Sequence, residues 1–212
     1  IENLRAAIRF GMVENLNIQF VYPPRALPEG YDELVQEEDK IPHAIPGKIV
    51  SDNGQMWRDL NRQIGVIDTQ RTKVVYGRLT AGRNASAGAM DGTEVSGMKV
   101  VSKTDFAVIA LSSLSNDPIE TCDNMLLTTI GRARNSDQVY DGDKMIEYGH
   151  EPIMSEVITA TITLKTQRTD LKVWGVNAEG FYVGQVPAKF EDGSMTFTVG
   201  EKFPASYYLI VA

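Results

Sequence analysis

The feature that most constrains this chain is the run Val157-Ile158-Thr159-Ala160-Thr161-Ile162-Thr163-Leu164, in which apolar and hydroxyl-bearing residues alternate. Successive side chains of an extended strand point to opposite faces. Ile158, Ala160, Ile162 and Leu164 therefore share one face, and Thr159, Thr161 and Thr163 share the other. A slip of one residue would invert both faces, so the pattern specifies a strand with one buried and one wet side.

The same logic extends from residue 47 to the C-terminus, where apolar alternation is interrupted by Gly, Asp or Asn. It predicts strands over 48–51, 55–59, 65–69, 73–78, 96–102, 106–112 and 124–133. It predicts others over 156–165, 171–177, 181–187, 194–199 and 206–211. Ala178-Glu179-Gly180 and Glu191-Asp192-Gly193 are short glycine-containing connections of the kind that close hairpins. They predict an antiparallel meander near the end. Many short strands without intervening helical periods favour an all-β, antiparallel, two-sheet β-sandwich of jelly-roll type over a parallel α/β sheet.

The start of the chain reads differently. Leu4, Ala7 and Ile8 fall at helical spacing with Asn3 placed to cap, which predicts one short helix over 3–13. A β-rich stretch over 17–22 stops at Pro23, Pro24 and Pro28, because proline cannot donate to a sheet ladder. Residues 23–47 carry Glu33, Glu37, Glu38 and Asp39 with Pro42 and Pro46 and no apolar period, as in a solvated arm or a linker. The expected organisation is a helix, strand and arm over 1–46 and a sandwich domain over 47–212. The first residue is Ile1, not Met, which reads as a piece of a longer polypeptide.

Composition excludes some functions. A formal charge of −7 without a Lys/Arg cluster opposes a nucleic-acid partner, since phosphate affinity depends on cationic side chains displacing counterions. The longest apolar runs fall far short of the roughly 20 residues that span a bilayer. The single cysteine, Cys122, cannot form an internal disulfide and reads as a small hydrophobe at a strand edge.

Catalytic patterns are sparse. His43 and His150 are the two histidines, so a Ser-His-Asp or Cys-His device has few bases available. Asp137, Asp141, Asp143 and Glu147 offer hard oxygen ligands in one segment but lack the spacing of a helix-loop-helix calcium site, and a solvated turn is expected there. The Gly/Ala-rich stretch 77–97 lacks the Gly-Lys-Ser/Thr ending of a phosphate loop and reads as a loop. His150-Glu151-Pro152 is similar to the Asn-Glu-Pro acid/base motif of cellulase barrels, but the Asn is missing and no barrel pattern surrounds it. No metal or cofactor is called for. Aromatic rings remain, because flat faces stack on the apolar faces of sugars. Trp57, Trp174, Tyr140 and Tyr182 are the candidate carbohydrate-binding residues.

Three longer stretches carry a family resemblance. They are Gly65-Val66-Ile67-Asp68-Thr69-Gln70-Arg71-Thr72, then Ala110-Leu111-Ser112-Ser113-Leu114, then Leu126-Leu127-Thr128-Thr129-Ile130-Gly131-Arg132-Ala133-Arg134-Asn135. With the closing Phe203-Pro204-Ala205-Ser206-Tyr207-Tyr208-Leu209-Ile210-Val211-Ala212, they resemble the C-terminal β-sandwich accessory domain of bacterial cellulase-like glycoside hydrolases. The likeness covers roughly residues 47–212; Gln70 departs from the family's proline, and the Gly/Ala-rich loop after Tyr76 is unusual. It implies a β-sandwich packed beside a catalytic barrel, a parent enzyme outside the cytoplasm, and no catalytic residue on this chain.

The expected function is thus a non-catalytic module that supports a catalytic barrel or binds polysaccharide. An independent carbohydrate-binding module is the nearest rival and would expose its rings in a row or groove. A glycosidase pairing Asp141 or Asp143 with Glu147 or Glu151 would require two carboxylates facing across a cleft. A surface or virion assembly protein would expose a self-complementary apolar patch.

Overall fold

A computed structural model describes residues 47–51, 53–80, 92–142 and 144–212. The expected helix over 3–13 and most of the acidic arm lie outside the described residues. So do His43, Asp143 and residues 81–91 of the Gly/Ala-rich stretch. The chain divides into two compact units, Ile1–Asn61 and Arg62–Ala212.

In the first unit, β1 (Lys48–Val50) and β2 (Met56–Asp59) form an antiparallel hairpin with Val50 opposite Trp57. Its turn closes by bonds from the Ser51 N–H to the Met56 carbonyl and from the Gly54 N–H to the Ser51 carbonyl, both 2.8 Å.

The second unit is all-β among its described residues. One sheet runs in the order β3-β4-β7-β8-β18-β14-β15. Its strands are β3 (Ile64–Asp68), β4 (Thr72–Arg78), β7 (Phe106–Ser113), β8 (Asn124–Ile130), β14 (Lys172–Val176), β15 (Tyr182–Val186) and β18 (Tyr207–Val211). A five-stranded sheet runs β16-β17-β13-β6-β5. It contains β5 (Thr93–Val95), β6 (Met98–Ser102), β13 (Ala160–Lys165), β16 (Ala188–Glu191) and β17 (Ser194–Val199). Two short ladders stand apart, β9 (Ala133–Ser136) with β12 (His150–Ser155), and β10 (Val139–Asp141) with β11 (Lys144–Glu147).

Each larger sheet buries one face. Along β7, Ala107, Ile109 and Leu111 are buried while their neighbours are half-exposed. Along β13, Ala160, Ile162 and Leu164 are buried, and Ile158 just before it joins them, as the alternation requires. On the opposite side of β13 the threonines pair across strands, Thr161 with Thr198 and Thr163 with Thr196, each at 3.1 Å between hydroxyls. Burying each large aliphatic side chain contributes about 1.5–3 kcal/mol.

The closing meander is corrected. The two hairpins are present: β14 pairs with β15, and β16 pairs with β17 across Asp192 and Gly193. Both turn residues have positive φ, 49° and 70°, as a two-residue hairpin of matching twist demands. Between the hairpins, however, the chain changes sheet around Pro187, which cannot continue a ladder. The last strand then returns to the larger sheet and inserts between β8 and β14.

Tyr208 anchors that return. Its side chain is fully buried, and its hydroxyl accepts the N–H groups of Gly200 (3.0 Å) and Ala205 (3.2 Å) while donating to the Phe203 carbonyl (3.1 Å). All three valences of the hydroxyl are used by the connection that carries the chain from β17 to β18. Burial pushes its phenol pKa up, and the two backbone donors partly oppose this. At Gly200 (φ 81°) a side chain would also overlap the Ile158 carbonyl.

A second link uses charge. Lys73, on the buried face of β4, places Nζ 2.5 Å from Asp68 Oδ1, while Asp68 Oδ2 accepts the Ser96 N–H at 2.9 Å from the β5–β6 turn.

Tyr208→Phe is expected to cost about 1–3 kcal/mol in urea unfolding, because two part-buried N–H groups and one carbonyl lose their partner. Deleting residues 207–212 is expected to abolish the cooperative transition altogether. Asp68→Ala should destabilise more than Lys73→Met, since the first leaves the buried Lys73 ammonium unpaired, whereas Asp68 in the second is better reached by solvent and keeps the Ser96 N–H.

Candidate functional site

The sequence-identified aromatics separate. Trp57 lies in the first unit, where the Lys48 ammonium sits 4.1 Å from its ring centroid, so one face is already taken by a cation. Trp174 and Tyr182 come together in the second unit. Trp174 pairs with Gln185 and Val176 with Tyr182, so both rings lie on the face of the larger sheet opposite its buried one. Their centroids are 5.4 Å apart at 50°. Tyr182 is 60 % exposed and Trp174 half-buried. Tyr207, opposite Val176 on β18, adds a third exposed ring that the sequence reading did not single out.

Tyr140 belongs to a different feature. Residues 133–155, expected to hold a solvated turn, fold as an arm of two successive ladders. Asn135 and Ser136 bridge it by donating to the Tyr148 (2.9 Å) and Pro152 (2.8 Å) carbonyls, and His150 Nε2 lies 2.8 Å from Asp137. No residue of β10, β11 or β12 is buried. Ile146, Tyr148, Ile153 and Met154 are each more than half exposed, Tyr148 at 76 %. The missed signal was Asp141-Gly142 between the β-formers Val139-Tyr140 and Met145-Ile146, a hairpin pattern outweighed by the surrounding acidic residues.

At the root of the arm is a cleft of about 750 Å³ lined by Arg132, Ala133, Arg134, Tyr140, Met154, Ser155 and Glu156. Arg134 stands directly opposite Met154 across the β9–β12 ladder. Glu156 accepts the Arg132 N–H at 3.2 Å and lies 4.0 Å from its guanidinium, which also reaches Asp105 at 3.4 Å. Asp105 receives the Thr80 hydroxyl at 2.6 Å and Arg78 Nη1 at 2.9 Å. The Thr80 hydrogen bond chiefly holds its carboxyl below the usual range; partial burial opposes this, and Arg78 and Arg132 reinforce it.

A smaller cavity of about 330 Å³, lined by Gln70, Lys73, Ser96, Pro118 and Glu120 among others, has its ammonium groups already paired. Lys73 is held by Asp68, and Lys165 lies 3.4 Å from Glu120. Cys122 is buried. Burial pushes its thiol up, but hydrogen bonds with Ser113 (3.2 Å), Ser115 (3.5 Å) and the Asn124 backbone bring it below the ordinary value. Among the described residues no group of three or more His, Cys, Asp or Glu could hold a metal ion. Among them, too, no helix is long and apolar enough to cross a membrane.

Comparison of the chain with protein-family models, curated proteins and solved structures finds no match.

The depressed Asp105 carboxyl has a defined pH consequence. Its contribution is present above the ordinary carboxylate pKa and is lost as pH falls through the lower folded value. The drop in urea-unfolding stability between pH 7 and pH 3 should therefore be smaller in Asp105→Asn than in the parent chain.

Proposed function

We propose that this chain is a non-catalytic accessory module of a multidomain glycoside hydrolase, built as a two-sheet β-sandwich whose arm docks on the parent catalytic domain. The observation that carries this reading is the arm itself. A two-stranded ribbon is marginal in water without a hydrophobic face to pack, and this one holds out Ile146, Tyr148, Ile153 and Met154 with no residue of its distal ladder buried. Exposed apolar surface of this kind marks an interaction site. The sandwich arrangement is supported by one buried face on each larger sheet and by the Lys73–Asp68–Ser96 and Tyr208–Gly200 links between them. The resemblance over residues 47–212 supplies the kind of parent.

The isolated chain is expected to release no reducing sugar from β-glucans, xylans or mannans. It should co-purify with the separately expressed catalytic domain of its parent polypeptide, and lose that association when residues 137–149 are replaced by a short Asn-Gly turn. Hydrolysis by the isolated chain, or association indifferent to the arm, would overturn the proposal.

The Trp174–Tyr182 pair favours a second reading, in which the module also holds polysaccharide. Neutral-glycan binding should then weaken about ten-fold in Trp174→Ala. Equal retention of the variant and the parent chain on insoluble glucan would remove this reading.

A further inference from the structure

The cleft at the root of the arm shares Met154 with the docking face and combines three features that the docking reading does not use. It is concave and of ligand size. Its two arginines differ in state. Arg132 is committed to Asp105 and Glu156, whereas Arg134 makes no ion pair among the described residues, where its cross-strand partner is the thioether of Met154. Tyr140, half-exposed, reaches the same cleft from β10. The acidic groups facing it are Glu156 and, through Arg132, Asp105, and both are neutralised by Arg132 or Arg78. Among the described residues the cleft thus presents one guanidinium without an ion pair, beside an aromatic ring and an apolar side chain.

That combination suits a ring compound bearing one anionic group. A guanidinium offers a planar fork of donors that matches a carboxylate or sulfate, and a phenol ring offers a flat apolar face with a polar edge. A neutral sugar would leave Arg134 without its partner, and a simple inorganic anion would leave Tyr140 and Met154 unused. We propose that the arm-root cleft binds an anionic saccharide, its acidic group received by Arg134 and its ring laid against Tyr140 and Met154. This rests on the polysaccharide reading above and specifies its ligand class. The chain's net charge of −7 opposes anionic ligands at long range, so recognition here depends on close contact.

The test is calorimetric titration of the 212-residue chain with an oligogalacturonate, a sulfated galactan oligomer and a neutral oligomer of equal length, with amide and methyl NMR shifts recorded. Saturable binding of an anionic oligomer is expected, with shifts at Tyr140 and Met154, and whichever oligomer binds tighter identifies the acidic group. Arg134→Gln should weaken it ten-fold or more, and Arg134→Lys should fall between, keeping the charge but losing the fork. Lys189→Gln, at an exposed lysine of β16, should change nothing. Failure of both anionic oligomers to bind, or binding indifferent to Arg134→Gln in a variant with an unchanged NMR spectrum elsewhere, overturns the proposal. If the neutral oligomer alone binds and depends on Trp174, the polysaccharide reading survives without this cleft. If nothing binds while the catalytic domain still co-purifies, docking alone stands.

Discussion

The larger sheet of the second unit depends on its last strand. β18 lies between β8 and β14, so the ladder joining the β14–β15 hairpin to the rest of that sheet exists only once residues 207–211 are in place. A C-terminal strand at an interior position makes folding non-local, because closing entropy is spent before the pairing returns it. Tyr208 supports this arrangement by filling the buried face of β18 and by using its hydroxyl to pin the incoming connection at three backbone groups. A phenylalanine would fill nearly the same space but leave those backbone groups to find other partners.

The two larger sheets and the arm divide the work differently. The sheets place their alternating apolar residues out of water and are joined by hydrogen bonds anchored on the buried Lys73 and Tyr208 side chains. The arm makes its bonds in solvent, where each contributes little, and its apolar side chains remain uncovered. The buried core and the exposed apolar surface are thus separated along the chain. Arg132 and Glu156 stand at the boundary, tying the arm root to Asp105 on the loop before β7.

Of the candidate sugar-binding residues, Trp174 and Tyr182 meet because a bulge between Gly175 and Val176 on one strand and Val183 on the other sets Tyr182 opposite Val176. Trp57 is taken up by Lys48, and Tyr140 serves the arm-root cleft. Nothing in the spacing of these four residues along the chain distinguishes the pair from the other two, since the pairing register crosses a hairpin turn and a bulge.

The alternating pattern by itself determined the positions of the longer strands and the buried face of segments such as 158–164, though not the short β5 and β16, because side-chain direction in a strand follows parity and needs no partner. It also marked the turns at 178–180 and 191–193, where glycine or positive φ is a local demand. Sheet membership was decided only by tertiary structure. The same alternation suits either sheet, so it marks Pro187 as the end of a ladder without showing which sheet the next strand joins. The arm was likewise hidden, since local β propensity over 139–147 competes with its acidic neighbours and no buried side chain arbitrates. That Arg132 pairs with Asp105 and Glu156 was likewise decided by distance between segments far apart in the chain.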